Sequence, residues 1–134
     1  MYVDSVVDLV SGKSIDSIKA VSYNEWFFPC HFPGNPVVPG VIQLESIFQS
    51  AAIIISTLPE NIDKGKTVYI NSVKNANFFK EVRPGSVMKI RAELLKDYRR
   101  GLARSCYGKI EVDGELVCEA YFSMIIKSDL VKIG

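Results

Sequence analysis

The chain is poor in the residues that would commit it to a specialised class. Its 134 residues hold one tryptophan, one histidine and three cysteines. Cys30, Cys106 and Cys118 are odd in number and widely spaced, and His31 is the one imidazole available to join them, so neither a disulfide framework nor a metal-ligand pattern is signalled. Reduced, unpaired thiols are expected. Sixteen basic residues against fifteen acidic ones leave a net charge of +1, which argues against nucleic acid as a partner. No stretch is long and apolar enough to span a bilayer, and Met1-Tyr2-Val3-Asp4 shows no basic region leading into an apolar signal core. A cytoplasmic location is the expectation. Internal repeats, linkers and low-complexity tracts are also missing.

What is present suits a single domain over 1–134, with 48% hydrophobic residues to fill a substantial core. The most informative stretch runs from Cys30 to Gln49. Pro33, Pro36 and Pro39 fix φ and remove backbone donors, and Pro39-Gly40 closes the loop, so His31 sits on a stiff, non-helical segment. From Val41 to about Ile55 there is neither proline nor glycine, and the run predicts a helix that is apolar nearly all round and must be wrapped by other elements. Glu45 and Gln49, four apart, share one face of it. A half-buried carboxyl needs a partner or a shifted pKa, so Glu45 is either a satisfied structural residue or a working acid. The first amides after Pro39 lack intrahelical acceptors and carry the positive end of the helix dipole, which lets the Gly40 amide hold a carbonyl oxygen.

Strands are predicted on both sides of this helix. Val3 to Val10 turns at Ser11-Gly12-Lys13 into Ile15 to Val21, and in an aromatic loop from Asn24 to Cys30 the side chains of Trp26, Phe27 and Phe28 are expected to pack under the His31 segment, the alternative being direct contact with substrate. Leu58-Pro59 ends the helix, and Glu60 to Lys66 is a charged connection. Val68 to Phe79 is one long strand, followed by a turn at Arg83-Pro84-Gly85. Met88, Ile90, Ala92 and Leu94 then alternate with Lys89, Arg91 and Glu93, the pattern of a strand with one buried face. Leu102 to Val112 and Leu116 to Ile126 flank an Asp113-Gly114 hairpin, with Leu116, Cys118, Ala120, Phe122, Met124 and Ile126 on one face of the last strand. This order gives an α+β fold rather than a parallel βαβ sheet.

The segment His-Phe-Pro-Gly-Asn-Pro-Val-Val-Pro-Gly-Val, with Glu45 and Gln49 following at fixed spacing, resembles the active-site signature of the β-hydroxyacyl-acyl carrier protein dehydratases of the FabZ type. The similarity extends from Val3-Asp4 to Cys118-Glu119-Ala120, through Asn24-Glu25-Trp26-Phe27-Phe28, Arg99-Arg100-Gly101-Leu102 and Val112-Asp113-Gly114. It implies a hotdog fold, a curved antiparallel sheet wrapped around a central helix, and a homodimer in which His31 and Glu45 face one another from different subunits. The family joins sheets edge to edge, with Val68–Phe79 the candidate edge here, and trimers of such dimers are frequent in it. Members carry a Leu-Pro-His-Arg-Tyr-Pro-like segment ahead of the positions matching Val3-Asp4, and the sequence begins past it. Cys30 stands where this branch usually has glycine and resembles the sister branch that also isomerises its product. That branch has aspartate where this chain has Glu45, so dehydration alone is expected.

Dehydrating a 3-hydroxyacyl thioester requires a base at C2 and an acid at the C3 hydroxyl. By resemblance these are His31 and Glu45, with the acid kept protonated by burial. The Gly40 amide would stabilise the charge on the thioester oxygen, or Gly40 serves only as the small residue a helix start needs. Gln49 would orient Glu45, or satisfy a buried carbonyl. Val41 and Ile42 would set the depth of the acyl tunnel. Lys96, Arg99, Arg100 and Arg104 form either a docking patch for the acidic acyl carrier protein or a solvated turn. Cys30 lacks the third orienting partner that a thiol nucleophile needs. No metal or organic cofactor is called for. Two other functions fit less well: a hotdog thioesterase, which activates water with a carboxylate in a different layout, and a non-catalytic acyl-carrier-binding subunit, which should have lost one of the pair.

Overall fold

The computed structural model describes residues 3–25, 36–58, 66–98 and 102–128. Six strands and one helix follow in the order β1 (Ser5–Val10), β2 (Ser14–Ala20), α1 (Gly40–Ser56), β3 (Lys66–Phe78), β4 (Val87–Tyr98), β5 (Ala103–Val112) and β6 (Glu115–Ser128). All pair antiparallel in one sheet with spatial order β1-β2-β4-β5-β6-β3. The predicted α+β hotdog is therefore the observed architecture. The aromatic loop Trp26–Phe28, Cys30 and His31, the connection after Leu58, and Arg99 and Arg100 lie outside the described residues.

The helix lies on the sheet along one stripe. Ile42, Gln43, Ser46, Ile47, Ser50, Ala51, Ile54 and Ile55 are buried, at the spacing that puts them on a single helical face. Facing them are Met88, Ile90 and Ala92 of β4, Cys106 and Ile110 of β5, and Cys118, Ala120, Phe122, Met124 and Ile126 of β6. The alternation predicted for β4 holds, and that for β6 holds from Cys118 to Ile126, whereas Leu116, expected on the same face, is only partly buried and pairs with Glu111 on the other. Val117 is also buried because the β5–β6 register slips between Ile110 and Glu111, so two consecutive β6 residues turn inward.

Close approach of helix and sheet depends on a row of small residues. Ala92, Gly108, Ala120 and Ala76 are in register across β4, β5, β6 and β3. Ile47 sits on the glycine: a Cβ added at Gly108 would lie 2.1 Å from its Cγ2. Phe48 meets Phe122 edge to face at 4.8 Å between ring centroids. A polar seam crosses the same interface, where Ser50 Oγ donates to Ser46 O at 3.0 Å and lies 2.8 Å from Ser17 Oγ of β2.

β3 stands at one free edge of the sheet, as expected of Val68–Phe79. It carries two bulges: Asn71 and Lys74 have no opposite number, so the strand's thirteen residues span Cys118–Ser128 of β6. Tyr69, Ile70, Val73 and Phe78 leave apolar surface exposed along it. β1 forms the other edge and is exposed along its whole length. No helix among the described residues is long and apolar enough to cross a membrane.

Candidate active site

Residues 36–39 reach α1 as an extended segment, with Pro39 at φ −58 and ψ 146, so the chain turns into the helix without a side-chain cap. Bonds among the described residues hold that entry. The Val38 N–H donates to Val82 O at 2.7 Å, tying the segment to the one buried residue of the connection between β3 and β4, and Gln43 Nε2 donates to Val38 O at 3.4 Å. Within the first turn, the N–H groups of Ile42 and Gln43 both donate to Pro39 O. The amides of Gly40 and Val41 have no acceptor among the described residues, as a helix start requires. They remain available to an oxygen brought from outside, in the favourable field of the helix N-terminus.

Gly40 is packed against an aromatic ring. The Phe78 ring, from the end of β3, lies so close that a Cβ at position 40 would be 3.0 Å from two of its carbons. Phe78 and Gly40 line a cleft of about 380 Å³ together with Val37, Val38, Gln43, Phe79, Lys80 and Glu81. The charges at its rim are paired: Lys80 with Glu115, and Arg83 with Glu81 at 2.6 Å.

Glu45 and Gln49 come together as their spacing predicts, with Gln49 Nε2 donating to Glu45 Oε1 at 3.3 Å. The expected half-burial of Glu45 is not met: the carboxyl is exposed in the single chain, and Val41, on the same face, is 72% exposed. The physical reason is that the sheet covers the Ile42-Ser46-Ser50-Ile54 side of α1 and leaves the Val41-Glu45-Gln49 side bare. The expected wrapping of the helix is thus one-sided within one chain. His31 lies outside the described residues, so its distance from Glu45 is not part of this geometry.

Of the basic residues, Lys96 is exposed and lies over the Tyr98 ring at 5.2 Å. Arg104 is different. Its side chain is only 16% exposed, and its Nε, 3.7 Å from Asp97 Oδ1, has no hydrogen bond among the described residues. It offers little to a surface partner. Cys106 and Cys118 are free and buried, as expected of unpaired thiols, and burial pushes each up to about 12. Such thiols are poor nucleophiles. No group of three or more His, Cys, Asp and Glu side chains among the described residues is arranged to hold a metal ion.

Two contributors escaped the sequence reading. Gln43 interrupts the apolar run two positions before Glu45, a signal available in the sequence, and is 3% exposed. Phe78 carries no local signal, because its place against Gly40 depends on strand register.

Comparison with known proteins gives this geometry its relatives. The model of the FabA-like domain matches residues 1–121. The 3-hydroxyacyl-[acyl-carrier-protein] dehydratase FabZ of Pectobacterium atrosepticum is 41% identical over 120 residues, covering 90% of this chain and 78% of the relative. That of Pediococcus pentosaceus is 40% identical over 130 residues, covering 94% and 82%. Among solved structures, the dehydratase heterocomplex ApeI:P of Xenorhabdus doucetiae superposes with a TM-score of 0.67 at 14% identity, covering 90% of this chain and 96% of that one. A hypothetical thioesterase with coenzyme A from Streptococcus pneumoniae gives 0.69 at 14% identity, covering 92% and 85%. These two share the fold, whereas 41% identity sustained across nine-tenths of the sequence carries descent, and the chain belongs to the FabA-like family, beside the dehydratases of the FabZ type.

Proposed function

We propose that the chain is a (3R)-3-hydroxyacyl-ACP dehydratase that eliminates water to give trans-2-enoyl-ACP in cytoplasmic fatty acid, related lipid or polyketide synthesis. The observation that carries this reading is the identity with FabZ dehydratases over nearly the whole chain. His31 acts as the base and takes the C2 proton. The thioester oxygen, gaining charge, accepts from the Gly40 amide, which has no acceptor among the described residues. Glu45 gives its proton to the C3 hydroxyl as water leaves. Gln49 holds one oxygen of that carboxyl and leaves the other for the substrate.

The bare Val41-Glu45-Gln49 side of α1 supports a site shared between two subunits. A second copy joined along β3 covers that side. The apolar surface exposed on Tyr69, Ile70 and Val73 of that edge fits such a contact. Val41 then lines the substrate's path. Lys96, with Arg99 and Arg100, receives the acidic carrier protein, and Arg104 stays inside the hairpin. Trimers of the dimer remain compatible with this arrangement.

One assay separates the candidate activities. Offered a 3-hydroxyacyl or crotonyl thioester, a dehydratase interconverts alcohol and conjugated alkene, a thioesterase releases free thiol, and a binding subunit does neither. His31→Ala and Glu45→Gln should each abolish interconversion, and co-refolding the two inactive proteins should restore part of it in mixed dimers. Activity retained by either single variant would overturn the assignment.

A further inference from the structure

Gln43 is placed where a core residue belongs and leaves one atom unexplained. It lies in the buried stripe of α1, and its Nε2 serves the Val38 carbonyl. Its Oε1 is buried without a hydrogen-bond partner among the described residues. Native interiors leave few acceptors in that state, because removal from water is not compensated. Holding Val38 accounts for the nitrogen only. The side chain lines the cleft that also contains Gly40, and the Gly40 N–H has no acceptor among the described residues. Among the described residues, one unpaired backbone donor at the helix start and one unpaired side-chain acceptor in its first turn thus belong to residues that line the same cleft. Val37, Val38 and Phe78 supply apolar walls.

We infer that Gln43 is a substrate-binding residue whose Oε1 accepts an O–H or N–H from the acyl thioester whose carbonyl oxygen meets the Gly40 amide. This deepens the dehydratase reading and rests on it. Such a ligand has two donors near its carbonyl: the C3 hydroxyl, and the amide N–H of the arm two carbons beyond the sulfur. The hydroxyl has a chemical reason to be held this way. A carboxamide oxygen can only accept, so it fixes the O–H hydrogen and leaves the hydroxyl lone pairs to the proton of the acid.

The test uses three ligands on chains that also carry Glu45→Gln, which prevents turnover: a 3-hydroxyacyl N-acetylcysteamine thioester, its saturated counterpart without the hydroxyl, and a 3-hydroxyacyl ethyl thioester without the amide. Calorimetry compares Gln43→Met with the parent, folding being checked by thermal melting. The 3-hydroxyacyl N-acetylcysteamine thioester should bind about five- to tenfold more weakly to Gln43→Met, the loss expected for one hydrogen bond. The ligand lacking the donor that Gln43 receives should bind both chains equally, which identifies the donor. Equal binding of all three ligands to both chains, or an equal loss for all three, overturns the inference, the latter leaving Gln43 as a tie to Val38 alone. Should Gln43→Met not fold, Gln43→Glu keeps an acceptor and must keep the parent's discrimination among the ligands; losing it overturns the inference. Wild-type turnover, measured alongside, separates the two readings, since a chain that dehydrates without any dependence on Gln43 loses only this one.

Discussion

Replacing Gly108 by alanine tests how closely the central helix rests on the sheet. The new Cβ would lie 2.1 Å from Ile47 Cγ2 and 3.3 Å from Ile47 Cβ, where carbon atoms normally meet at about 3.5–4.0 Å. Ile47 is fully buried, and a β-branched side chain in a helix has essentially one χ1 available, so the methyl cannot swing aside. Either α1 lifts or β5 bends. Overpacking of this kind costs about 1–3 kcal/mol, and the reduced freedom of alanine in the unfolded chain returns about 0.4–1 kcal/mol. A net loss of about 1–2 kcal/mol follows, a large share of the roughly 5–15 kcal/mol that holds a typical domain together. In urea titration the midpoint should fall with an unchanged slope. Ile47→Leu moves the branch away from Cβ and should cost less than about 1.5 kcal/mol alone. Combined with Gly108→Ala it should recover about 1 kcal/mol relative to the sum of the single changes. Stability within about 0.5 kcal/mol of the parent for Gly108→Ala, or additivity of the pair within that margin, would refute the close approach.

Three further outcomes follow from the same geometry. Gly40→Ala meets the half-exposed Phe78 ring, which has room to give, so melting should change little while dehydratase kcat/KM falls on the order of tenfold as the Gly40 amide shifts; Phe78→Leu should recover much of it. Ser50→Ala should cost about 1–2 kcal/mol in denaturant titration by stranding the buried Ser17 hydroxyl, and Ser17→Ala less, because Ser50 still donates to Ser46 O. Stability should also fall at alkaline pH. Buried Cys106 and Cys118 keep their protons to about 12, while in the unfolded chain they ionise near 9.0, so from pH 9 toward 12 the unfolded state binds fewer protons and gains. The loss approaches about 1.4 kcal/mol per pH unit for each thiol, and Cys106→Ala with Cys118→Ala should flatten the slope.

Much of the fold was legible because period and punctuation agree in this chain. The helix read from Val41 to Ile55 extends over Gly40–Ser56, and the Asp113-Gly114 hairpin falls where its residues require, both at positive φ. Glu45 shows where legibility ends. Its apolar surroundings along the sequence suggested cover, but periodicity does not say which side of a helix its own sheet takes and which is left for another chain. The row Ala92-Gly108-Ala120-Ala76 was hidden for a related reason: four small residues from four strands become one surface only after register is set. Gln43 was visible as a polar residue in a greasy run, yet its stranded oxygen is a property of packing that no pattern carries.

The two bulges of β3 bear on what this molecule avoids. A strand of thirteen residues with a bare margin is a hazard in a crowded cell, since a flat margin templates endless sheets. Asn71 and Lys74 each add local twist, so this margin is bent twice within five residues. A flat stack of copies cannot follow that shape, and a foreign straight strand loses its ladder after a few bonds. The curvature restricts company to a strand bent the same way.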